Sequence, residues 1–285
     1  MAGILKNKPN AGAMDAGAAI GAGRRTILSE AEALKALADA LEGELSGPFV
    51  AACEALRATA GRVIVTGMGK SGHIGRKIAA TFASTGRPAY FVHPGEASHG
   101  DLGMITEADC VMAISRSGAA AELTDILHHC RRLKIPVIGM TFVAASALAE
   151  ASDIVLLLPE CGEASEAAPA PTISTTMCLA LGDALAIALL DAAGFTTAHF
   201  RAIHPGGRLG AMLKHVRDVM HTGADLPLVS PQAGVAEALE KMSVRKLGCV
   251  GIVEAGKLVG VITDGDLRRK LDAAAFSKTA GALMT

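Results

Sequence analysis

The chain has 285 residues, which is enough for one large domain and a smaller one. Its 27 Lys and Arg nearly balance its 28 Asp and Glu, so its charge gives no footprint for nucleic acid or an anionic membrane. Aromatic residues make up only 3% although 51% of the chain is hydrophobic. This composition is typical of an α/β protein with packed parallel strands and excludes a stacking platform for bases.

The first part of the chain alternates short apolar strands with helices. Residues 1–24 are rich in Gly and Ala without periodicity, so we expect a flexible tail there. Uniformly apolar strands separated by helices predict a doubly wound, five-stranded parallel sheet over 25–213. The predicted strands are 63–65, 89–92, 110–114, 137–140 and 154–158, and the predicted helices are 27–45, 49–60, 73–84, 122–133, 144–151 and 173–193.

A smaller α+β domain is predicted over 214–285, with helices at 235–244 and 266–271 and strands at 248–253 and 258–262. Residues 280–285 echo 216–221, which indicates that a second repeat begins there and is truncated.

The sequence also bears on the compartment. The six cysteines form no C-x-x-C pair, so we expect reduced, mostly buried thiols. The N-terminus lacks the apolar core of a signal peptide, and the most apolar stretch, 178–190, contains Asp183 and is short for a membrane span. These features favour a cytoplasmic protein without a membrane partner.

The loop after the first strand resembles two kinds of phosphate loop. Gly67, Gly69 and Gly72 match G-x-G-x-x-G, but His93 stands where a dinucleotide site needs an acidic residue. A P-loop would need glycine at position 64, which is Ile. A tight turn without a ligand is a further alternative.

Hydroxyl-bearing residues follow neighbouring strands, at the edge of a parallel sheet where ligands bind. Serines at helix starts often only cap the helix, but two such loops at one edge favour an anion such as a phosphate monoester. The sequence therefore predicts phosphate-binding residues, namely Gly69, Ser71, Ser115, Ser117, Gly118 and Thr175.

Longer motifs carry a specific resemblance. Residues 67–77, 91–104, 174–176, 182–186 and 204–207 resemble the arabinose 5-phosphate isomerases, a family that joins a sugar isomerase (SIS) domain to a pair of cystathionine β-synthase (CBS) domains. The resemblance begins near residue 27 and continues to residue 285. It implies interconversion of D-ribulose 5-phosphate and D-arabinose 5-phosphate for Kdo and lipopolysaccharide synthesis. It also implies a homo-oligomer, taken as a tetramer, that needs no cofactor or metal.

This isomerisation needs a base, an acid and a cation near the developing oxyanion. By motif, the resemblance assigns Lys70 to charge stabilisation, and His99 and His204 to the active site, where imidazole can exchange protons near neutral pH. It also implies that His204 reaches a neighbouring subunit. Glu122 and Glu163 are both candidate bases, and a merely solvated carboxylate is an equal alternative for Glu163.

The third loop departs from the family pattern. Ala120 replaces a usual Ser or Thr, and the lost hydrogen bond to a charged phosphate would be worth roughly 1.5–3 kcal/mol. Arg116 replaces a small polar residue, and its guanidinium either compensates or faces solvent. Two other functions remain open: an isomerase of another phosphosugar, and a non-catalytic sugar-phosphate sensor. The acidic helix at 29–44 offers no basic DNA-binding element for a sensor.

In the second domain, Thr263 and Asp266 have the T-x-x-D spacing that can bind a nucleotide in CBS domains. The same spacing caps a helix. A CBS nucleotide pocket is completed by a paired repeat, and the second repeat is truncated here. Thr263 and Asp266 are therefore retained as candidate residues for a nucleotide at the CBS domain, with helix capping alone as the alternative.

Overall fold

The computed structural model describes residues 14–165, 167, 169–196, 199–200, 203–204, 216–270 and 275–285. The chain divides into two compact units, residues 1–210 and 211–285. The boundary that the sequence predicts, between 213 and 214, lies outside the described residues, as do residues 1–13 of the predicted tail.

Two helices begin the described chain, α1 at Ala16–Leu41 and α2 at Ser46–Ala58. The carboxylate of Asp15 caps α1 by accepting from the backbone N–H of Gly17 at 2.9 Å. Residues 16–24 are therefore helical, and their assignment to a flexible tail was wrong. An N-cap aspartate followed by alanines, the best helix formers, explains the earlier start.

The first unit contains the predicted five-stranded sheet, with all strands parallel and in the order β2-β1-β3-β4-β5. Its strands are β1 Val63–Gly67, β2 Ala89–Val92, β3 Cys110–Ile114, β4 Val137–Thr141 and β5 Ile154–Leu157. Its further helices are α3 Gly69–Ser84, α4 Pro94–Ala97, α5 Thr124–Leu133, α6 Ala147–Ala151 and α7 Ile173–Ala192.

Both faces of this sheet are covered, which confirms the doubly wound α/β class. On one face, Val63 and Val65 of β1 pack with Phe82 of α3 and Leu181 of α7. On the other face, Ile64 belongs to a second core built from α5 and α6 residues such as Ile126 and Leu148. Successive residues of β1 thus enter opposite cores, which is why its sequence is apolar without alternation.

The glycines that follow β1 serve helix packing. A Cβ at Gly72 would lie 2.5 Å from the carbonyl oxygen of Gly67, so only glycine allows α3 to approach the end of β1 this closely. This contact explains part of the G-x-G-x-x-G pattern without a dinucleotide.

By length and composition, helix α7 is long and apolar enough to cross a membrane, but half of its most apolar stretch is buried in the protein. It lies in the core beside α3, where Asp183 forms an ion pair with Lys77. The two helices approach closely at Gly182, where a Cβ would lie 2.4 Å from Cδ1 of Ile78. The geometry of α7 is that of a core helix.

The second unit is a small α+β domain. Its sheet has the order β6-β7-β8, with β6 and β7 parallel and β7 and β8 antiparallel. Its elements are β6 Leu228–Val229, α8 Val235–Arg245, β7 Cys249–Glu254, β8 Lys257–Thr263, α9 Asp264–Lys270 and α10 Ala280–Leu283. Thr285 continues the sheet, since it exchanges both backbone hydrogen bonds with Val261.

Candidate active site

The carboxyl ends of β1, β3 and β4 surround a cleft of about 700 Å³ in the first unit. Ser71 lines this cleft from the first turn of α3, and Ser115 and Ser117 line it from the loop after β3. The structure therefore brings together the three serines that the sequence placed at one sheet edge. This volume is in the range of small-molecule sites.

The serine hydroxyls of this cleft keep hydrogen-bonding capacity for a ligand. Within the part of the chain that the structure describes, the hydroxyls of Ser71 and Ser115 have no hydrogen-bond partner, although Ser115 is only 6% exposed. The hydroxyl of Ser117 accepts from the backbone N–H of Ala119 at 3.3 Å and keeps its proton to donate. Three O–H donors therefore converge on the cleft.

The loop after β3 is anchored through its backbone. The carbonyl of Arg116 accepts from the N–H of Phe142 at 3.2 Å, and the carbonyl of Gly118 accepts from the N–H of Leu148 at 2.9 Å. Gly118 is buried behind the serines, whereas Gly69 is exposed as the first residue of α3. The loop is therefore held in place without any ligand.

A smaller cavity of about 180 Å³ adjoins the cleft and shares Met68, Ser71 and Arg116 with it. Lys70 and Thr175 also line this cavity. The ammonium of Lys70 is exposed and forms no ion pair with any described residue. A free cation therefore lies beside the serine hydroxyls, where it can attract an anionic ligand or a developing oxyanion.

Glu163 lies beside both cavities but is almost completely enclosed, with a side chain 1% exposed. Its carboxylate accepts hydrogen bonds from the backbone N–H of Thr172 at 2.8 Å and from the hydroxyls of Thr172 and Ser174. It also forms an ion pair with Nε of Arg116 at 3.4 Å. Because these residues begin α7, Glu163 ties the start of that helix to the serine loop.

This environment sets the protonation state of Glu163. Burial by itself would raise the pKa of the carboxyl, but the hydrogen bonds from Ser174 and Thr172 outweigh it and lower the pKa below its usual value. A general base needs an accessible lone pair and a pKa near the working pH. In this conformation, Glu163 has neither.

The remaining candidates for proton transfer lie outside the two cavities described above. His99 and Glu122 are exposed, His99 after α4 and Glu122 in a 3-10 turn next to Ala120, which does line the cleft. His204 is half-buried and stacks on the ring of Phe200, with centroids 3.8 Å apart. Its Nδ1 lies 2.9 Å from the carbonyl oxygen of Phe200.

Sequence reasoning left Arg116 open and assigned no role to Glu160 and Cys161, which also line the cleft. The Cys161 thiol is half-buried there, and burial raises its pKa. These two residues sit in the irregular loop after β5, where no periodicity predicts side-chain direction. The described residues contain no cluster of three His, Cys, Asp or Glu side chains that could hold a metal ion.

In the second unit, Thr263 and Asp266 lie together at the junction of β8 and α9. One carboxylate oxygen of Asp266 accepts from the hydroxyl and the N–H of Thr263, and the other accepts from Arg269 and Thr285. Asp266 is 4% exposed. These hydrogen bonds, led by those from Thr263, lower the pKa of the Asp266 carboxyl. The pair therefore serves as an internal cap in this structure.

Comparison with known proteins agrees with this organisation. A SIS domain model matches residues 58–188, and a CBS domain model matches residues 216–273. Arabinose 5-phosphate isomerase KdsD from Pseudomonas aeruginosa is 51% identical over 254 residues, which cover 87% of this chain and 76% of the relative. KdsD from Escherichia coli K12 is 47% identical over 253 residues, covering 88% and 76%.

Solved structures resemble the first unit. A chain from E. coli CFT073 in complex with arabinose 5-phosphate has a TM-score of 0.64 and 38% identity, covering 67% of this chain and 100% of that chain. A Listeria monocytogenes chain assigned as a sugar-phosphate isomerase has a TM-score of 0.64 and 30% identity, covering 68% and 100%. With its SIS and CBS domains and this identity over most of its length, the chain belongs to the KdsD arabinose 5-phosphate isomerase family.

Proposed function

We propose that this protein is an aldose–ketose isomerase that interconverts D-ribulose 5-phosphate and D-arabinose 5-phosphate. The observation that carries the proposal is the cleft in which three serine hydroxyls and an unpaired lysine meet at one sheet edge. The 51% identity to a named isomerase supports the choice of substrate. The product would supply Kdo for lipopolysaccharide.

The phosphate monoester of the open-chain sugar would bind at the serine cleft. A phosphate carries a charge of about −1.5 to −2 at pH 7 and offers three strong acceptor oxygens. Ser71, Ser115 and Ser117 offer hydroxyl donors, and the first turn of α3 adds its unpaired N–H groups and the positive end of the helix dipole. Gly69 and Thr175 flank this position.

The carbonyl end of the sugar would lie toward Lys70. In the ketose-to-aldose direction, a base removes a proton from C1, and that C–H electron pair forms the C1–C2 double bond while charge develops on the C2 oxygen. The C1 hydroxyl proton then passes to that oxygen, and C2 takes up a proton as C1 becomes the aldehyde. The ammonium of Lys70 would stabilise the enediolate.

The geometry separates the proposed roles of the two glutamates. Glu163 has both oxygens occupied and a lowered pKa, so we assign it to positioning. Glu122 is exposed beside the cleft loop and can accept a proton, and His99 and His204 remain proposed proton-transfer groups. His204 would act in a neighbouring subunit's site.

We further propose that the protein works in the cytoplasm as a homo-oligomer, a tetramer by analogy with the family. Exposed apolar side chains on α1 support association, namely Ile20, Ile27 and Leu28. Light scattering on the purified full chain measures the oligomeric state, and a monomer at micromolar concentration would contradict this part of the proposal.

The activity is tested by incubating the purified protein with D-ribulose 5-phosphate in D2O and following products by NMR. We expect D-arabinose 5-phosphate that carries deuterium at C2, because the enediolate takes up its proton from exchangeable groups. Heat-denatured protein is the control. Absence of arabinose 5-phosphate, with conversion of another phosphosugar in a parallel panel, would identify a different isomerase, and absence of all turnover would favour a sensor.

A further inference from the structure

Arg116 is the cationic side chain that lines both cavities. Among the described residues that line the larger cleft, it is the only cation, and Glu160 is the only acidic residue. Lys70 lines only the smaller cavity. For a phosphate bound among the serines, Arg116 would therefore add to the α3 dipole and Lys70 and offset the negative charge of Glu160 within the larger cleft.

The guanidinium of Arg116 is held in place by the protein. One terminal nitrogen donates to the carbonyl of Cys161 at 2.9 Å, and Nε lies 3.4 Å from a carboxylate oxygen of Glu163. The side chain is still 44% exposed, and its other terminal nitrogen donates to no oxygen or nitrogen atom of the described residues. A held guanidinium with free N–H donors loses little conformational entropy when it binds an anion.

Ala120 lines the same cleft and presents a methyl group to it. The loop from Ser115 to Ala120 thus offers hydroxyl donors at Ser115 and Ser117. At position 120, beyond Gly118, it offers none. A ligand oxygen near Ala120 would be left without a partner unless another donor reaches it.

We propose that Arg116, oriented by Glu163 and by the Cys161 carbonyl, is a phosphate-binding residue that supplies the contact Ala120 cannot make. This inference rests on the proposed function, since it deepens the description of the same site. In this arrangement the guanidinium, supported from the loop after β5, would take the place of a hydroxyl donor at position 120. Glu163 is then a positioning residue for substrate binding.

The first experiment measures binding of inorganic phosphate by isothermal titration calorimetry, which needs no turnover. We expect R116A to weaken phosphate binding tenfold or more, and R131A, which removes an exposed arginine of α5, to leave it unchanged. If both variants bind phosphate as tightly as wild type does, the proposal is overturned. If wild type converts no phosphosugar but R116A still binds inorganic phosphate more weakly than wild type does, the proposed function fails while this inference stands.

The second experiment distinguishes a ligand contact from a structural one by rescue. In R116A, we expect KM for the phosphosugar to rise tenfold or more with a smaller change in kcat, and the second substitution A120S to recover a substantial part of KM and of phosphate affinity. If Arg116 only ordered the loop after β5, a hydroxyl at position 120 would not restore phosphate binding. Absence of rescue, with a lowered melting temperature in both variants, would overturn the proposal. If R116A does not fold, R116Q, which keeps a donor toward Cys161, is measured in the same way.

Discussion

The two units of the chain both place hydroxyls where a strand meets a helix, but they use them differently. In the SIS unit, Ser71 and Ser115 have no hydrogen-bond partner among the described residues. In the CBS unit, the hydroxyl of Thr263 donates to Asp266 at 2.6 Å and also accepts from the Asp266 N–H at 3.2 Å. Similar motifs therefore differ in whether the protein already uses their hydrogen-bonding capacity: the hydroxyl of Thr263 is used internally, whereas those of Ser71 and Ser115 are left for a ligand under the proposed function.

The largest effect is expected at the free cation. K70A should lower kcat for pentose phosphate isomerisation by roughly 10²–10³-fold, because the enediolate loses its nearest ammonium. The matched control is K77A, a lysine of the same helix that is ion-paired with Asp183 outside the two cavities. Steady-state kinetics measure both variants. Equal losses in the two would show that α3 as a whole, and not the Lys70 charge, is responsible.

A smaller effect is expected at a single unpartnered hydroxyl. S115A should raise KM roughly 10- to 150-fold, the range for one hydrogen bond to a charged acceptor, and leave the melting temperature close to that of wild type. The unfolding temperature and KM are measured on the same preparation. A large loss of stability without a change in KM would show that Ser115 caps, and the contrast with the CBS unit would disappear.

Glu163 sharpens the comparison because it lies in the SIS unit and yet its hydrogen-bonding capacity is already used, by Thr172 and Ser174. E163Q should raise KM several-fold but keep the pH dependence of kcat between pH 5 and 9, since a carboxyl whose pKa is lowered stays ionised across that range. E122Q should lower kcat, because it removes the carboxylate proposed to take up the proton. Rates against pH for both variants test this, and an acidic limb lost only in E163Q would return Glu163 to the role of base.

The lowered pKa of Glu163 also has a consequence for stability. The contribution of this carboxylate is fully present above the unfolded pKa, about 4.5, and is lost as the pH falls through the lower folded value. Wild type should therefore lose more stability than E163Q between pH 5 and 3, as measured by denaturant unfolding. Parallel losses would indicate that the hydrogen bonds around Glu163 do not lower its pKa.

The smallest effect on catalysis is expected in the CBS unit. T263A removes a donor to the enclosed Asp266 and should lower the unfolding temperature of that unit while leaving kcat and KM within twofold of wild type. Calorimetric unfolding measures the predicted loss of stability, and the isomerase assay measures kcat and KM. If T263A instead kept its stability and lost affinity for an added adenine nucleotide, the pair would be a binding site.

Strand positions and the class of the fold followed from the sequence because fully buried parallel strands leave uninterrupted apolar runs. The bounds of β2 and β3 agree with the prediction residue for residue. The start of α1 was missed because Asp15 precedes a stretch of Gly and Ala with no apolar periodicity. Capping depends on a single side chain, so the apolar periodicity of the sequence does not reveal where such a helix begins.

At the site, the clustering of Ser71, Ser115 and Ser117 was predictable, because parallel strands deliver their carboxyl ends to one edge. The enclosure of Glu163 was not. Its partners Thr172 and Ser174 lie nine and eleven residues further along, across a loop without regular geometry. Arg116 could point either way for the same reason, since side-chain direction in a loop is decided by contacts that no repeat encodes.

The close approach of α3 and α7 at Gly182 has a consequence for substrate range. Both helices begin at the smaller cavity, with Lys70 on one and Thr175 on the other, so the gap between their first turns depends on how tightly their middles touch. The absence of a side chain at position 182 therefore lets the middles of the two helices approach closely. A larger side chain there would force Ile78 or the helices themselves to shift, so a change remote from every group that meets the sugar would act on the smaller cavity through the packing of α3 against α7.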